Sequence, residues 1–296
     1  MEEDFNLGKI KSYFDKMYTD EYFEKLSKKV YEEDRNYPEN FSNWHPHIIT
    51  TGAFAEAEII ANQIFTWEET EKLRHTDDIL KVDWNIINYV LKPTIDKLSP
   101  YVCYNIKNGC FSNKFNFSTC ICDKSNIAQH LWDINYESSM LDTGGYTELV
   151  VREYISYNIN KQVTIYNGMP LREEVRVFYN MDTKEIEYME DYWDYNYCMP
   201  RICNQTDILA FDWFHNKIPG REIQHKERLS AVMETIKSQI STLKFDGELK
   251  GIWSIDFMFD EISNEIYLID MARGYRSAYW NPNKLKPQTK EQLKYE

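Results

Sequence analysis

Two aspartates interrupt a pair of apolar runs in GIWSIDFMFDEISNEIYLIDMARG, residues 251–274. Apolar runs of this length, rich in isoleucine and aromatics and split by the polar turn DEISNE, read as two strands of a hairpin. A carboxylate inside an apolar strand is costly unless it is paired or holds a metal. With the turn centred near Ile262, Asp256 faces Leu268, and Asp270 lies diagonal to it on the same face. No lysine or arginine lies between the two acids within either strand. Two same-face carboxylates suit Mg²⁺, which takes one or two carboxylates together with phosphate oxygens. The alternative is a pair of salt bridges to Arg273 or Arg276.

A second stretch, LREEVRVFY (171–179), alternates apolar and charged residues in the same way. Its charged face carries Arg172, Glu174 and Arg176. A guanidinium at strand spacing is a planar fork, suited to a carboxylate or a phosphate.

The rest of the chain sets these strands in an α+β frame. KIKSYFDKMYTDEYFEKLSKKVYEE (9–33) repeats apolar residues every three or four positions, and segments 51–75 and 83–98 continue that helical pattern. Thr66, followed by Glu68 and Glu69, marks a helix start, while Pro93 and Pro100 punctuate the end of the region. From Tyr101 the texture turns β-rich: YVCYNI, NFSTCIC, TELVVREYI, QVTIYN and REEVRVFYN are short and broken by Gly, Asn and Asp. VRVFYNMDTKEIEYME reads as a hairpin turning at NMDTK. A helix follows over KERLSAVMETIKSQISTL, with Leu229, Val232, Met233, Ile236 and Ile240 on one face. The divisions read from composition are a mainly helical region over 1–100, a small lobe over 101–150 and a large lobe over 151–296.

At 296 residues and 43 % hydrophobic content the chain can bury a sizeable core. Its net charge of −14 disfavours bulk nucleic-acid or anionic-membrane binding. It has no run of 18 apolar residues, and its first residues are acidic, so the expectation is a cytoplasmic protein. The cysteines at 103, 110, 120, 122, 198 and 203 match no paired metal knuckle, and His45 and His47 flank a proline without a second ligand pair nearby. KFDG (244–247) matches the K-x-D-G signature of adenylating ligases, in which Lys244 would be a nucleophile. Only about 50 residues follow it, too few for the downstream domain such enzymes carry.

Taken in order, three segments resemble the ATP-grasp superfamily, and within it the cell-division-cycle-123 family of assembly factors for eukaryotic translation initiation factor 2. ELVVREYI (148–155) resembles that family's interlobe hinge, LREEVRVFY its phosphate-contacting strand, and WSIDFMFD with IYLIDMA its closing strands of metal-binding acids. The resemblance implies an ATP-grasp fold of two α+β lobes gripping ATP. Arg152, Glu153 and Tyr154 fall at the adenine hinge, Glu174 and Arg176 beside the phosphates, and Asp256 and Asp270 on Mg²⁺. Lys107 or Lys114 would supply a further phosphate contact. Departures stand beside these matches: Ala272 replaces an expected third metal ligand, Asn105 an expected lysine, and YMEDYWDY is acidic where a basic residue is expected. The fold's commonest use implies a carboxylate–amine or –thiol ligase working through an acylphosphate, with Arg176 and Arg273 on the reacting groups. The alternatives are an ATP-binding assembly chaperone with little turnover, and a nucleotidyltransferase using Lys244.

Overall fold

The computed structural model describes residues 19–74, 82–109, 111–141, 147–157, 162–216 and 221–292. Cys110 and the first ten residues of the expected N-terminal helix (9–18) lie outside them.

Helix α1 (Asp20–Arg35) and the single turn α2 (Phe41–Trp44) lead into β1 (Ile48–Thr50), β2 (Ile59–Ile64), α3 (Trp67–Arg74), α4 (Trp84–Ile95) and β3 (Tyr104–Asn108). Then come β4 (Ile121–Cys122), α5 (Ile127–Met140), β5 (Glu148–Glu153), β6 (Thr164–Ile165), β7 (Met169–Pro170), β8 (Glu174–Asn180) and β9 (Glu185–Asp191). The remainder comprises α6 (Tyr195–Cys198), α7 (Gln205–Asn216), α8 (Arg221–Gln239), β10 (Lys244–Phe245), β11 (Ile252–Asp260), β12 (Glu265–Arg273) and α9 (Pro287–Gln292). The architecture is α+β, with small antiparallel sheets.

Two four-stranded antiparallel sheets dominate, ordered β2-β5-β3-β4 and β12-β11-β8-β9. The first recruits β2 from one side of the chain and β5 from the other, so strand pairing runs across the divisions read from the sequence at 100 and 150. Segment 51–75 was expected to be helical throughout. Instead Ile59–Ile64 is a strand, because Ala61 is buried between sheet and helices where β5 supplies its backbone partners. Helix propensity differences amount to less than about 1 kcal/mol per residue, even for alanine, and tertiary pairing overrides them here. NFSTCIC likewise is mostly a 3₁₀ turn (Lys114–Cys120), with only its last two residues in β4.

Other local expectations are met. Thr66 and Glu69 form a reciprocal cap, Thr66 N–H donating to Glu69 Oε2 (2.9 Å) and Glu69 N–H to Thr66 Oγ1 (3.2 Å). Pro93 sits inside the last turn of α4 rather than beyond it. Strand β8 is buried along its whole length because β11 and β9 flank it. Val175, Val177 and Tyr179 join Val232 and Ile236 of α8, and Ile240 in the 3₁₀ turn that follows it, in the main core. Arg176 and Phe178 alternate onto the other face, where Phe178 stacks on Tyr188 at 4.3 Å.

A buried ionic cluster anchors α8. His225 lies 3.2 Å from Glu173 Oε1 and 3.9 Å from Asp191 Oδ2, and Arg228 reaches both Glu173 (3.0 Å) and Glu261. Burial alone would lower the His225 pKa; Asp191 and Glu173 outweigh it and raise it to about 9. Its neighbour His215, 5.4 Å away ring to ring, is held down to about 4 by burial and by the His225 charge.

The outer edge of β12 is covered. Ala55 N–H donates to Ile266 O and Leu268 N–H to Ala55 O, both at 2.9 Å, forming a parallel bridge. Among the described residues no helix is long and apolar enough to cross a membrane.

Candidate functional site

The two sheets face one another across a cleft of about 160 Å³. Eight of the ten expected site residues line it: Lys107, Lys114, Arg152, Glu153, Tyr154, Glu174, Asp256 and Asp270. They come from β3, the 3₁₀ turn, β5 and its exit, β8, β11 and β12.

The large sheet sets a lateral row of charge. Arg176 on β8 is the direct partner of Asp256 on β11, and Asp256 that of Asp270 on β12. The diagonal placement expected from the turn is therefore corrected. Phe257 pairs with Leu268 while Asp256 pairs with Asp270, so Ile269 is an extra residue that shifts the register by one. Such a bulge re-aims the residues beside it, and it brings the two acids side by side. The Ile269 carbonyl then accepts a hydrogen bond from Arg152 Nη1 at 2.7 Å.

Each acid has its own cation. Arg176 forks onto Asp256, Nε to Oδ1 at 2.7 Å and Nη2 to Oδ2 at 2.6 Å, with Nη1 on the Ala278 carbonyl at 3.3 Å. Neither Arg273 nor Arg276 makes these pairs. Burial would lower the Arg176 pKa, but Asp256 outweighs it and holds the guanidinium charged. Lys107 Nζ crosses from the small sheet to Asp270 Oδ1 at 2.8 Å. Burial would raise the Asp270 pKa, but Lys107, Arg152 and the Met271 N–H together pull it below the usual carboxylate range. Glu174, by contrast, is buried with no ion-pair partner among the described residues. Desolvation, reinforced by Asp256, pushes it up to about 8, so it is largely protonated at neutral pH.

Lys114 is held differently. Its Nζ donates to the Tyr192 hydroxyl at 2.9 Å and lies 5.2 Å from that ring's centre, and Arg176 lies 4.8 Å from the same ring. Tyr192 thus carries two cations. It was missed as a single residue, its segment YMEDYWDY having been read as acidic; an aromatic just beyond the end of β9 was the available signal. Arg172 is fully enclosed, bonding Asp260 Oδ1 (3.3 Å) and the carbonyls of Ile155 (2.8 Å) and Ser156 (3.0 Å), so it ties the hinge segment to the large sheet. Glu153 is exposed at the end of β5, and its N–H donates to Glu58 O at 2.8 Å. Burial pushes the neighbouring Tyr154 hydroxyl up to about 12.

Two expected residues are not brought to the cleft lining. Arg176 sits just behind it with its fork occupied. Arg273 pairs across with Trp253, on the face of β12 opposite Asp270, and its Nη1 donates to the Tyr275 hydroxyl at 3.2 Å. Arg276 covers the Tyr37 ring at 4.4 Å. Lys244 is exposed on β10, paired with Thr50 of β1 and bonded to the Ser241 carbonyl, away from the cleft lining. Intact-mass measurement after incubation with ATP and Mg²⁺ is accordingly expected to find no adenylate on the protein. An adduct mapped to Lys244 would reinstate the nucleotidyltransferase alternative.

Among the described residues no group of three or more His, Cys, Asp and Glu side chains is arranged to hold a metal. Asp256 and Asp270 alone form a two-acid set. Asp270 Oδ1 takes Lys107 and the Met271 N–H, and no described donor reaches Oδ2. The Ala272 carbonyl accepts from Ser254 Oγ at 3.2 Å. This donor set fits a hard cation that keeps most of its ligands as water or phosphate, as Mg²⁺ does.

No protein-family model matches the chain, and no curated protein matches it. Among solved structures it is similar to Cdc123 from Schizosaccharomyces pombe, at 12 % identity and a TM-score of 0.44, over 82 % of this chain and 85 % of that one. It is also similar to the C-terminally truncated form of the same protein, at 12 % identity and a TM-score of 0.42, over 81 % and 85 %.

Proposed function

We propose that the cleft binds ATP with Mg²⁺ and that the protein is an ATP-holding assembly module for a protein partner, with little turnover. One observation carries this reading: cations from both sheets and the intervening turn gather around a directly opposed acid pair at the wall of one cleft. Lys107 and Arg152 belong to the small sheet, Lys114 to the turn and Arg176 to the large sheet. A polyphosphate needs several donors from different elements, and a set that bridges two sheets ties its occupancy to their relative position. When bound, Mg²⁺ would screen the phosphate charge. Asp270, whose Oδ2 takes no described donor, and Asp256, once its oxygens leave the Arg176 fork, are the residues that would hold it. Tyr154 and the exit of β5 wall the end of the cleft expected to take the base. The ordered motifs of the hinge, the arginine strand and the acid hairpin support the same assignment.

The ligase reading has less support. It relies on Arg273 beside the reacting carboxylate, whereas that side chain projects from the far face of β12. The third metal-ligand position is Ala272, whose carbonyl is already engaged.

Thermal-shift and calorimetric titration with ATP, ADP and AMP, each with and without Mg²⁺, tests the proposal. ATP with Mg²⁺ is expected to stabilise the fold by about 2–3 kcal/mol at a hundred-fold excess over its Kd, and AMP by much less. ATP should not be consumed when a carboxylate and an amine are offered. Absence of any nucleotide shift sinks the reading, and steady consumption restores the ligase.

A further inference from the structure

The cations around the cleft are not equally available to an anion. Lys107 is 2 % exposed and already neutralised by Asp270, and both Asp256 oxygens occupy the Arg176 fork. Arg152 gives Nη1 to a backbone carbonyl and stands near Asp270. Lys114 differs: the partner of its ammonium is a neutral hydroxyl, with the Tyr192 and Phe115 rings alongside. Among the described residues Lys114 has no carboxylate in direct contact, Asp256 acting on it only from a distance, whereas a phosphate would have to take Lys107 and Arg176 from carboxylates that touch them.

We propose that the two acid–base pairs act as an electrostatic latch. Lys107 and Arg176 are withheld from a phosphate chain until Asp270 and Asp256 are engaged by a divalent cation, and Lys114, seated on Tyr192, receives the anion before that exchange. The inference rests on the ATP reading of the cleft and adds an order of engagement to it. The exchange is a matter of charge balance. A carboxylate that turns toward a divalent ion neutralises its lysine or arginine less, so the released cation gains by contacting phosphate. Metal and phosphate chain therefore bind with positive coupling, each raising the other's affinity by the same factor. Tyr192 is a positioning residue here. Its ring faces both Lys114 and Arg176, so it links the cation that acts first to one of those that act later.

The test is calorimetric titration of the full chain with ATP and with inorganic tripolyphosphate, in EDTA and in saturating Mg²⁺. Lys114→Met should weaken both probes about ten-fold or more in either condition, the loss of one charge-assisted contact. Lys107→Met should change affinity less than about two-fold in EDTA and ten-fold or more in Mg²⁺. Since Lys107→Met strands Asp270, the double variant Lys107→Met/Asp270→Asn serves as a second measurement: it should lose most of the gain in affinity for both probes that Mg²⁺ gives the wild type, and a full gain overturns the latch. Tyr192→Phe keeps the ring and removes the hydroxyl, and should cost a few-fold in both conditions. A Lys107→Met loss of equal size with and without Mg²⁺ overturns the latch while leaving ATP binding intact. So does an unaffected Lys114→Met in EDTA. Failure of the wild type to bind either probe overturns the latch and the ATP reading together.

Discussion

Replacing Arg176 with methionine should cost about 3–5 kcal/mol of folding stability, because it removes one partner of a buried, doubly hydrogen-bonded ion pair. The guanidinium fork meets both Asp256 oxygens within 2.7 Å, and the two side chains are only 10 % and 8 % exposed. Without Arg176 the Asp256 carboxylate would face Asp270 on its neighbouring strand with no counter-charge of its own. Proton uptake or water entry can relieve that burden only in part. The double variant Arg176→Met/Asp256→Leu should recover most of the loss, since apolar replacement of a whole buried pair is often neutral or better. Urea unfolding of the wild type, both single variants and the double closes the cycle. A single-variant loss below about 1 kcal/mol would mean that the pair is solvated and carries no such burden.

Raising the pH from 6.5 to 9 should remove on the order of 3 kcal/mol of stability through His225 alone. Its folded pKa of about 9 lies above the ordinary 6.5, and each unit of difference corresponds to about 1.4 kcal/mol. The sign follows from the direction of the shift. A raised folded pKa means that the native state holds its proton more tightly, so the stabilisation is complete below about pH 6.5. It fades as the imidazolium between Glu173 and Asp191 deprotonates, and is gone above about 9. Urea midpoints at pH 6, 7.5 and 9.5 for wild type and His225→Gln measure it. The variant should be the weaker protein at pH 6 and equal to wild type at pH 9.5. Parallel pH curves for the two proteins would show that the His225 pKa is the same in the folded and unfolded states.

Patterns that depend on neighbours in sequence were legible. The hairpins at 174–191 and 252–273, the Thr66–Glu69 cap and the apolar face of α8 follow from period and turn chemistry within a few residues. What escaped depends on neighbours in space. Ile59–Ile64 is a strand because a partner about 90 positions later completes its hydrogen bonds. The Ile269 bulge leaves no mark in an unbroken run of apolar letters, yet it moves Asp270 from a diagonal position to a direct one. Two same-face acids were foreseeable. That their cations are Lys107, 163 residues away, and Arg176, 80 away, rather than the nearby Arg273 and Arg276 was not, since chain distance says nothing of which sheet will close over them.

The Ala55 bridge on the edge of β12 has a mechanical consequence. Ala55 is fastened to one sheet, and four residues later Ile59 is fastened to the other, opposite Arg152 of β5. Four peptide links reach at most about 13–14 Å when pulled straight. This leash crosses from jaw to jaw and cannot be paid out without breaking strand pairing at one end. The span between Ala55 and Ile59 therefore limits how far the outer edge of β12 and the start of β2 can separate while both pairings hold.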